Sequence, residues 1–194
     1  MVPAIALLFA FGFYAVTVSA VRRTRRLIGR SPIVFVPSGG VEMKLSAALM
    51  LAFPAVLVAS TLLPEVRWFR PVMQSPAFTA VAAVLFAGGL VLQRAAIWRL
   101  GPAFRIGIDP TSREALVRDG PYRYLRHPIY ASFIAYYLAA WLLQPSLLFG
   151  VVTPLAVLRI YYQATLEERM MLARHGAAYA AYARTTSRFI PFVW

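Results

Sequence analysis

The sequence predicts an all-α integral membrane protein with about five transmembrane helices, a polar cytoplasmic loop and a C-terminal helix. Hydrophobic residues fill 60% of the 194 positions, and the mean hydropathy is +0.66, well above the level of an ordinary soluble domain. The charge is segregated as well: a formal net charge of +13 sits almost wholly between long stretches that contain no charged residue.

Met1 to Val21, Leu45 to Leu63 and Ser75 to Leu92 are uncharged, and each approaches the roughly 20 residues that cross a bilayer core. Ile129 to Leu143 and Ser146 to Leu158 are shorter and meet at Gln144-Pro145-Ser146. They predict either a tightly joined transmembrane hairpin or a buried, re-entrant one. Basic residues follow the first stretch (Arg22, Arg23, Arg25, Arg26, Arg30, Lys44), the third (Arg94, Arg99, Arg105, Arg113, Arg118, Arg123, Arg126) and the fifth (Arg169, Arg174, Arg184, Arg188). The other connections are nearly bare, so the positive-inside rule predicts a multi-pass protein with its N-terminus outside and its C-terminus and polar site cytoplasmic. The first span lacks a basic leader and is too long for a signal-peptide core, which predicts no cleavage. Residues 1–99 thus read as three N-terminal spans, and 100–194 as a core of loop, hairpin, C-terminal helix and tail.

The chain has no cysteine, which excludes disulfides, thiolate nucleophiles and thiolate metal sites. Two histidines with seven acidic residues argue against a dedicated metal site. Topology and anionic headgroups of membrane lipids account for the arginines, so no nucleic-acid partner is expected. Chemistry is therefore confined to the loop after the third span and to the C-terminal segment.

Within that loop, Gly107 to Pro110 is rich in turn residues, and Leu116-Val117 forms an apolar patch that suits either the membrane face or a wall beside an adenine-sized ligand. The most informative stretch runs from Gly120 to Tyr130. Gly120-Pro121 is a turn dipeptide, and Pro128 suits the first position of a helix, which puts His127 at the helix mouth. Unpaired N–H groups there, with Arg123 and Arg126, favour an anionic ligand group. The alternative reading makes His127 a polar cap and Tyr122, Tyr124 and Tyr130 interfacial anchors.

Residues 159–183 read as a helix leaving the membrane. Arg159, Gln163 and Glu167 share one face; Glu168, Leu172, His175 and Tyr179 share another. The Glu167-Glu168 pair reads as charge balance for Arg169 and Arg174 or as an acidic site. Gly176 and the Arg188-Phe189-Ile190-Pro191 string suggest that the helix ends and a tail folds back, with His175 at an ordinary helix terminus.

In their order and spacing, Leu116-Val117, Gly120-Pro121-Tyr122, Arg126-His127-Pro128 and Tyr130, then Glu167-Glu168, Gly176, Tyr179, Tyr182 and Arg188 to Pro191, resemble the isoprenylcysteine carboxyl methyltransferase family, whose superfamily includes phospholipid N-methyltransferases. The resemblance covers the C-terminal half. It implies an S-adenosylmethionine-dependent methyltransferase releasing S-adenosylhomocysteine, with the cofactor held by Leu116, Val117, Gly120, Tyr122, Arg126, His127, Pro128 and Tyr130. It also implies that Glu167, or Glu168 with a one-residue slip, binds the cofactor and completes the active site. The acceptor implied is a lipophilic small molecule or lipid. Where the family carries an acceptor-contacting arginine, this chain has Gln163, with Arg159 one turn earlier as a substitute. That departure opens the acceptor group to a prenylcysteine-like carboxylate, a thiol, an amine or a hydroxyl. The competing readings are an NADPH-dependent membrane reductase of the sterol reductase type and a non-catalytic membrane subunit.

Overall fold

The structure, a computed structural model, describes residues 1–29, 31–33, 40–106 and 115–193, with backbone alone over 40–47. The stretch from Gly107 to Pro110, Arg30 and Arg113 lie outside the described residues. The helices are α1 (Val2–Ile28), α2 (Gly40–Leu62), α3 (Pro76–Leu100), α4 (Pro128–Leu143), α5 (Leu147–His175) and α6 (Ala177–Thr185). Among the described residues the only extended pairings are isolated bridges, Ile33 with Ile106 and Leu125 with Ser187. The all-α expectation holds.

Local chemistry sets most boundaries. α1, α3 and α4 each carry a proline in the first turn, where its missing N–H costs nothing. α1 stops where Gly29 takes a left-handed φ of 69° and its N–H reaches the Arg25 carbonyl at 2.9 Å.

Among the described residues three helices are long and apolar enough to cross a membrane, namely α1, α3 with its short extension to Ala103, and α5. Of the other two expected spans, α4 is a shorter apolar helix, and α2 runs for 23 residues, Gly40–Leu62, over all but the last residue of the expected Leu45 to Leu63 stretch. α4 has 16 residues, hence a length of roughly 24 Å against a hydrocarbon core of about 30 Å. Pro128 and the Gln144 turn fix both its ends.

The C-terminal half of α5 also departs from expectation. The expected fifth span and the helix beyond it are one 29-residue helix, because nothing after Pro154 interrupts it until Gly176. Gly176 has φ 52°, a left-handed conformation that splits the expected 159–183 helix into the end of α5 and α6.

The core is aromatic. Phe9 stacks on Phe86 with centroids 4.1 Å apart and tilts against Tyr136 at 4.9 Å, while Phe53 meets Tyr137 at 4.5 Å. Ring pairs at these separations add stabilisation beyond the area they bury. The most extensive helix pair is α3 with α4. They meet where Gly89 faces the Tyr136 ring, whose hydroxyl donates to Gln93 Oε1 at 2.9 Å, so both buried polar side chains are satisfied. At the opposite end, the Gln144 amide donates to the carbonyls of Ser60 (3.0 Å) and Phe69 (2.9 Å), tying the α4–α5 turn to the α2–α3 connection. The outer faces carry exposed Phe11, Val84, Val91 and Leu158, as a surface solvated by lipid tails requires.

Gly89 and Gly88 give an internal contrast. A Cβ at Gly89 would lie 2.4 Å from the Tyr136 ring, whereas one at Gly88 meets nothing within 4 Å. Gly89→Ala is expected to cost about 1–3 kcal/mol through overpacking and to lower the thermal midpoint in detergent. Gly88→Ala is expected to leave the midpoint unchanged or raise it.

Candidate functional site

The site is built by bringing three distant segments to one end of the bundle. The loop arrives first. Leu116 and Val117 are half-buried in irregular backbone leading to a 3-10 turn, Gly120–Arg123. Gly120 has φ 58°, and a Cβ there would lie 3.3 Å from Arg99 Cγ at the end of α3. The Arg99 guanidinium also forks onto the Asp119 carboxylate, fastening the loop to α3.

The tail then docks beside the motif. The Arg126 N–H donates to the Ser187 carbonyl (2.8 Å), the Ser187 N–H to the Tyr124 carbonyl (3.1 Å), and the His127 N–H to the Arg188 carbonyl (3.2 Å). The Tyr182 hydroxyl from α6 donates to the Tyr122 carbonyl at 2.7 Å. Tyr122 and Tyr182 are both buried. Burial, with the Glu167 carboxylate adding to it, raises the Tyr122 hydroxyl well above its ordinary range. Burial pushes Tyr182 up to about 12, so it stays a neutral donor.

α5 contributes the third segment. His127, the residue before α4, sits between the two neighbouring carboxylates, with Nε2 3.2 Å from Glu168 Oε1 and Nδ1 3.8 Å from Glu167 Oε2. The imidazole also lies nearly parallel to the Tyr130 ring at 5.5 Å and near Phe189 of the tail at 6.0 Å.

The two carboxylates have different surroundings. Glu168 accepts from Arg126 Nε (3.0 Å), from Arg188 Nε (3.1 Å) and from Arg188 Nη2. Arg126 further donates through Nη1 to the carbonyls of Ala183 (2.6 Å) and Thr186. Hydrogen bonding to Glu168 raises the Arg188 guanidinium above its ordinary value. Glu167 instead takes neutral donors on Oε1, the Tyr130 hydroxyl and the Gln163 amide at 3.2 Å, and Gln163 Oε1 accepts from Arg159 Nη1 at 2.9 Å. Its side chain is 26% exposed against 16% for Glu168, and among the described residues Oε2 faces only the more distant His127 Nδ1.

The structure thus brings together Arg126, His127, Tyr130, Arg159, Gln163, Glu167 and Glu168, with Pro128 starting the helix that carries Tyr130. Tyr122 lies behind them, and the bonds defining the cluster do not include Leu116, Val117 or Gly120. Arg126 is directed onto Glu168 and the tail, where the sequence suggested an anion at the helix mouth. Arg188 and Tyr182 entered the sequence reading only as parts of a pattern. Their partners lie 20 and 60 residues away, and no local signal links them.

Apolar helices with lipid-compatible outer faces, carrying one ionic cluster at an end of the bundle, define an integral membrane protein with a single polar site among the described residues. The chain belongs to the phospholipid methyltransferase family, whose model matches residues 77–178, and is a methyltransferase of this membrane type. It is 26% identical over 161 residues to protein-S-isoprenylcysteine O-methyltransferase A of Arabidopsis thaliana, covering 80% of this chain and 82% of that one. It also shares the fold of the eukaryotic intramembrane Ras methyltransferase ICMT (isoprenylcysteine carboxyl methyltransferase), with a TM-score of 0.51 at 21% identity. That likeness covers 82% of this chain but only 55% of the solved one, so the chain spans about half of that protein's length.

Tyr182→Phe leaves the buried Tyr122 carbonyl without its shortest partner. It is expected to cost about 1–3 kcal/mol and to speed hydrogen exchange and proteolysis across 186–193, while α1 to α4 keep their protection.

Proposed function

We propose that the protein moves a methyl group from S-adenosylmethionine to a lipophilic acceptor that enters from the bilayer, at a site on the cytoplasmic side with the N-terminus outside. The observation that carries this reading is the unlike pair of carboxylates. Glu168 is enclosed by Arg126, His127 and Arg188, whereas Glu167 is held by neutral donors and keeps an oxygen for a cation.

The donor set fits S-adenosylmethionine, which carries an ammonium, a carboxylate, a sulfonium and an adenine. Glu167 suits the positive groups, Tyr130 and Tyr122 the ring or sulfonium faces, and the turn from Leu116 to Gly120 the adenine edge. When bound, the cofactor supplies an electrophilic methyl group and departs as S-adenosylhomocysteine. The residues of this chain then have positioning roles. Tyr130 and Gln163 fix the Glu167 carboxylate from two sides. Arg126, His127 and Arg188 use Glu168 to clamp the motif to α5 and the tail. The docked tail screens the cluster from water, and a displacement between two held groups needs little beyond alignment and desolvation.

Arg159 would meet the polar end of the acceptor. It lies two helical turns before Glu167 on the same face and reaches it through Gln163. A carboxylate acceptor is the group that a guanidinium at this depth holds best, while a thiol, amine or hydroxyl would take a neutral contact from Gln163.

Calorimetric titration of the detergent-purified protein tests the cofactor assignment. S-adenosylmethionine and S-adenosylhomocysteine are expected to bind saturably and NADPH not at all, with Glu167→Gln weakening the sulfonium compound about tenfold or more. Binding of NADPH alone would make the protein a reductase, and binding of none of the three would remove the catalytic reading. Arg159→Gln is expected to raise KM for a prenylcysteine-type carboxylate acceptor about tenfold without changing cofactor affinity. An unchanged KM would take Arg159 out of acceptor recognition.

A further inference from the structure

The end of α1 on the side of the ionic cluster bears a groove to which methyl transfer gives no role. Its lining includes Ala15, Val18, Ser19, Arg22, Arg23 and Arg26. Positions 15, 18, 19, 22 and 26 follow the three- and four-residue spacing of one helix face, and all five are exposed. Along that stripe the chemistry changes from small and mostly apolar, at Ala15, Val18 and Ser19, whose hydroxyl donates back to the Val16 carbonyl at 2.9 Å, to basic at Arg22 and Arg26.

Arg22 and Arg26 are like charges one turn apart, an arrangement that weakens a helix unless an anion lies between them. Neither has an acidic partner among the described residues. Arg23 is turned away from them: its Nη1 donates to the Trp98 carbonyl at 3.4 Å, and its guanidinium lies 5.5 Å from the Trp98 ring. Arg94 packs on the same ring at 4.5 Å. The basic end of the groove is therefore fastened to the last turns of α3, next to Arg99 and the loop that leads to the site.

We infer that this stripe is a binding site for one anionic phospholipid, with its phosphodiester between Arg22 and Arg26 and an acyl chain along Ala15, Val18 and Ser19. A soluble anion would leave the apolar half of the groove unused, whereas a lipid lying along α1 presents an apolar chain and a charged head in the order that the stripe does. Arg25, exposed in the same turn but outside the groove lining, separates this proposal from a diffuse basic bias.

The test is native mass spectrometry of the full chain in detergent, titrated with phosphatidylglycerol or phosphatidylcholine, alongside thermal unfolding with each lipid. Wild type is expected to bind phosphatidylglycerol in preference and to gain thermal stability from it. Arg26→Gln is expected to weaken that binding about fivefold and the Arg22→Gln/Arg26→Gln pair about thirtyfold, with Arg25→Gln nearly silent. Ala15→Leu, on an exposed face where folding is unaffected, is expected to weaken lipid binding while both charges remain, which keeps the test decisive if the double variant does not fold. Equal losses from Arg25→Gln and Arg26→Gln, equal binding of the two lipids, or stabilisation by inorganic phosphate as large as that by phosphatidylglycerol would each overturn the assignment.

Discussion

Three segments of this chain meet at one carboxylate, and the rest of the polar end is organised around that meeting. Glu168 receives Arg126 from the motif before α4, His127 from the helix mouth and Arg188 from the tail, over separations of 42, 41 and 20 residues. A part-buried carboxylate loses hydration that a single exposed pair would not restore, and it becomes tolerable when several charged donors surround it. The arrangement is correspondingly unforgiving at its centre, because taking away Glu168 would leave Arg126 and Arg188 as part-buried charges without an acidic partner. The cluster therefore defines a register more than it adds stability. Backbone bridging between Leu125 and Ser187 and the Tyr182 hydroxyl on the Tyr122 carbonyl hold the same register through neutral groups.

That division of labour explains how two adjacent glutamates acquire different surroundings. Successive helical residues differ by about 100° in direction. Glu168 turns toward the tail and the motif arginine, and Glu167 toward Tyr130 and its own helix face. One carboxylate is neutralised by fixed cations. The other is oriented by a phenol and an amide, neither of which cancels its charge, and so remains able to attract a positive group. The charge balance proposed from sequence as an alternative role of the pair thus applies to Glu168, with partners drawn from the motif and the tail.

Much of this architecture was legible in local signals. Prolines at positions 76 and 128 and glycines at 29 and 176 mark helix ends where they stand, and the i, i+4 file of Arg159, Gln163 and Glu167 forms the hydrogen bonds its spacing implies. Span length was less legible. An uncharged run measures how far apolar residues extend, whereas a helix ends where its backbone is interrupted, so α5 continues past Arg159 for four more turns and α4 stays short. The three motif tyrosines show the limit of composition. Tyr124 is 52% exposed, Tyr122 is 8% exposed behind Tyr182, and Tyr130 bonds to Glu167. Their environments come from contacts 37 to 60 residues distant, which no window of sequence contains.

The continuity of α5 has a functional consequence. Because one helix runs from the lipid-exposed Leu158 through Arg159 to Glu167, the file of Arg159, Gln163 and Glu167 forms a hydrogen-bonded ladder leading from apolar surroundings to the ionic cluster. A guanidinium at the apolar end of such a ladder is costly in lipid unless it is bonded, and Gln163 supplies that bond. Gln163 can do so because its amide has both an acceptor and a donor, one for Arg159 and one for Glu167. An arginine in its place would have only donors, and would set two guanidiniums against each other one turn apart. The glutamine at this position and the arginine one turn before it are therefore a matched pair, in which the Gln163 amide links the positive charge of Arg159 to Glu167.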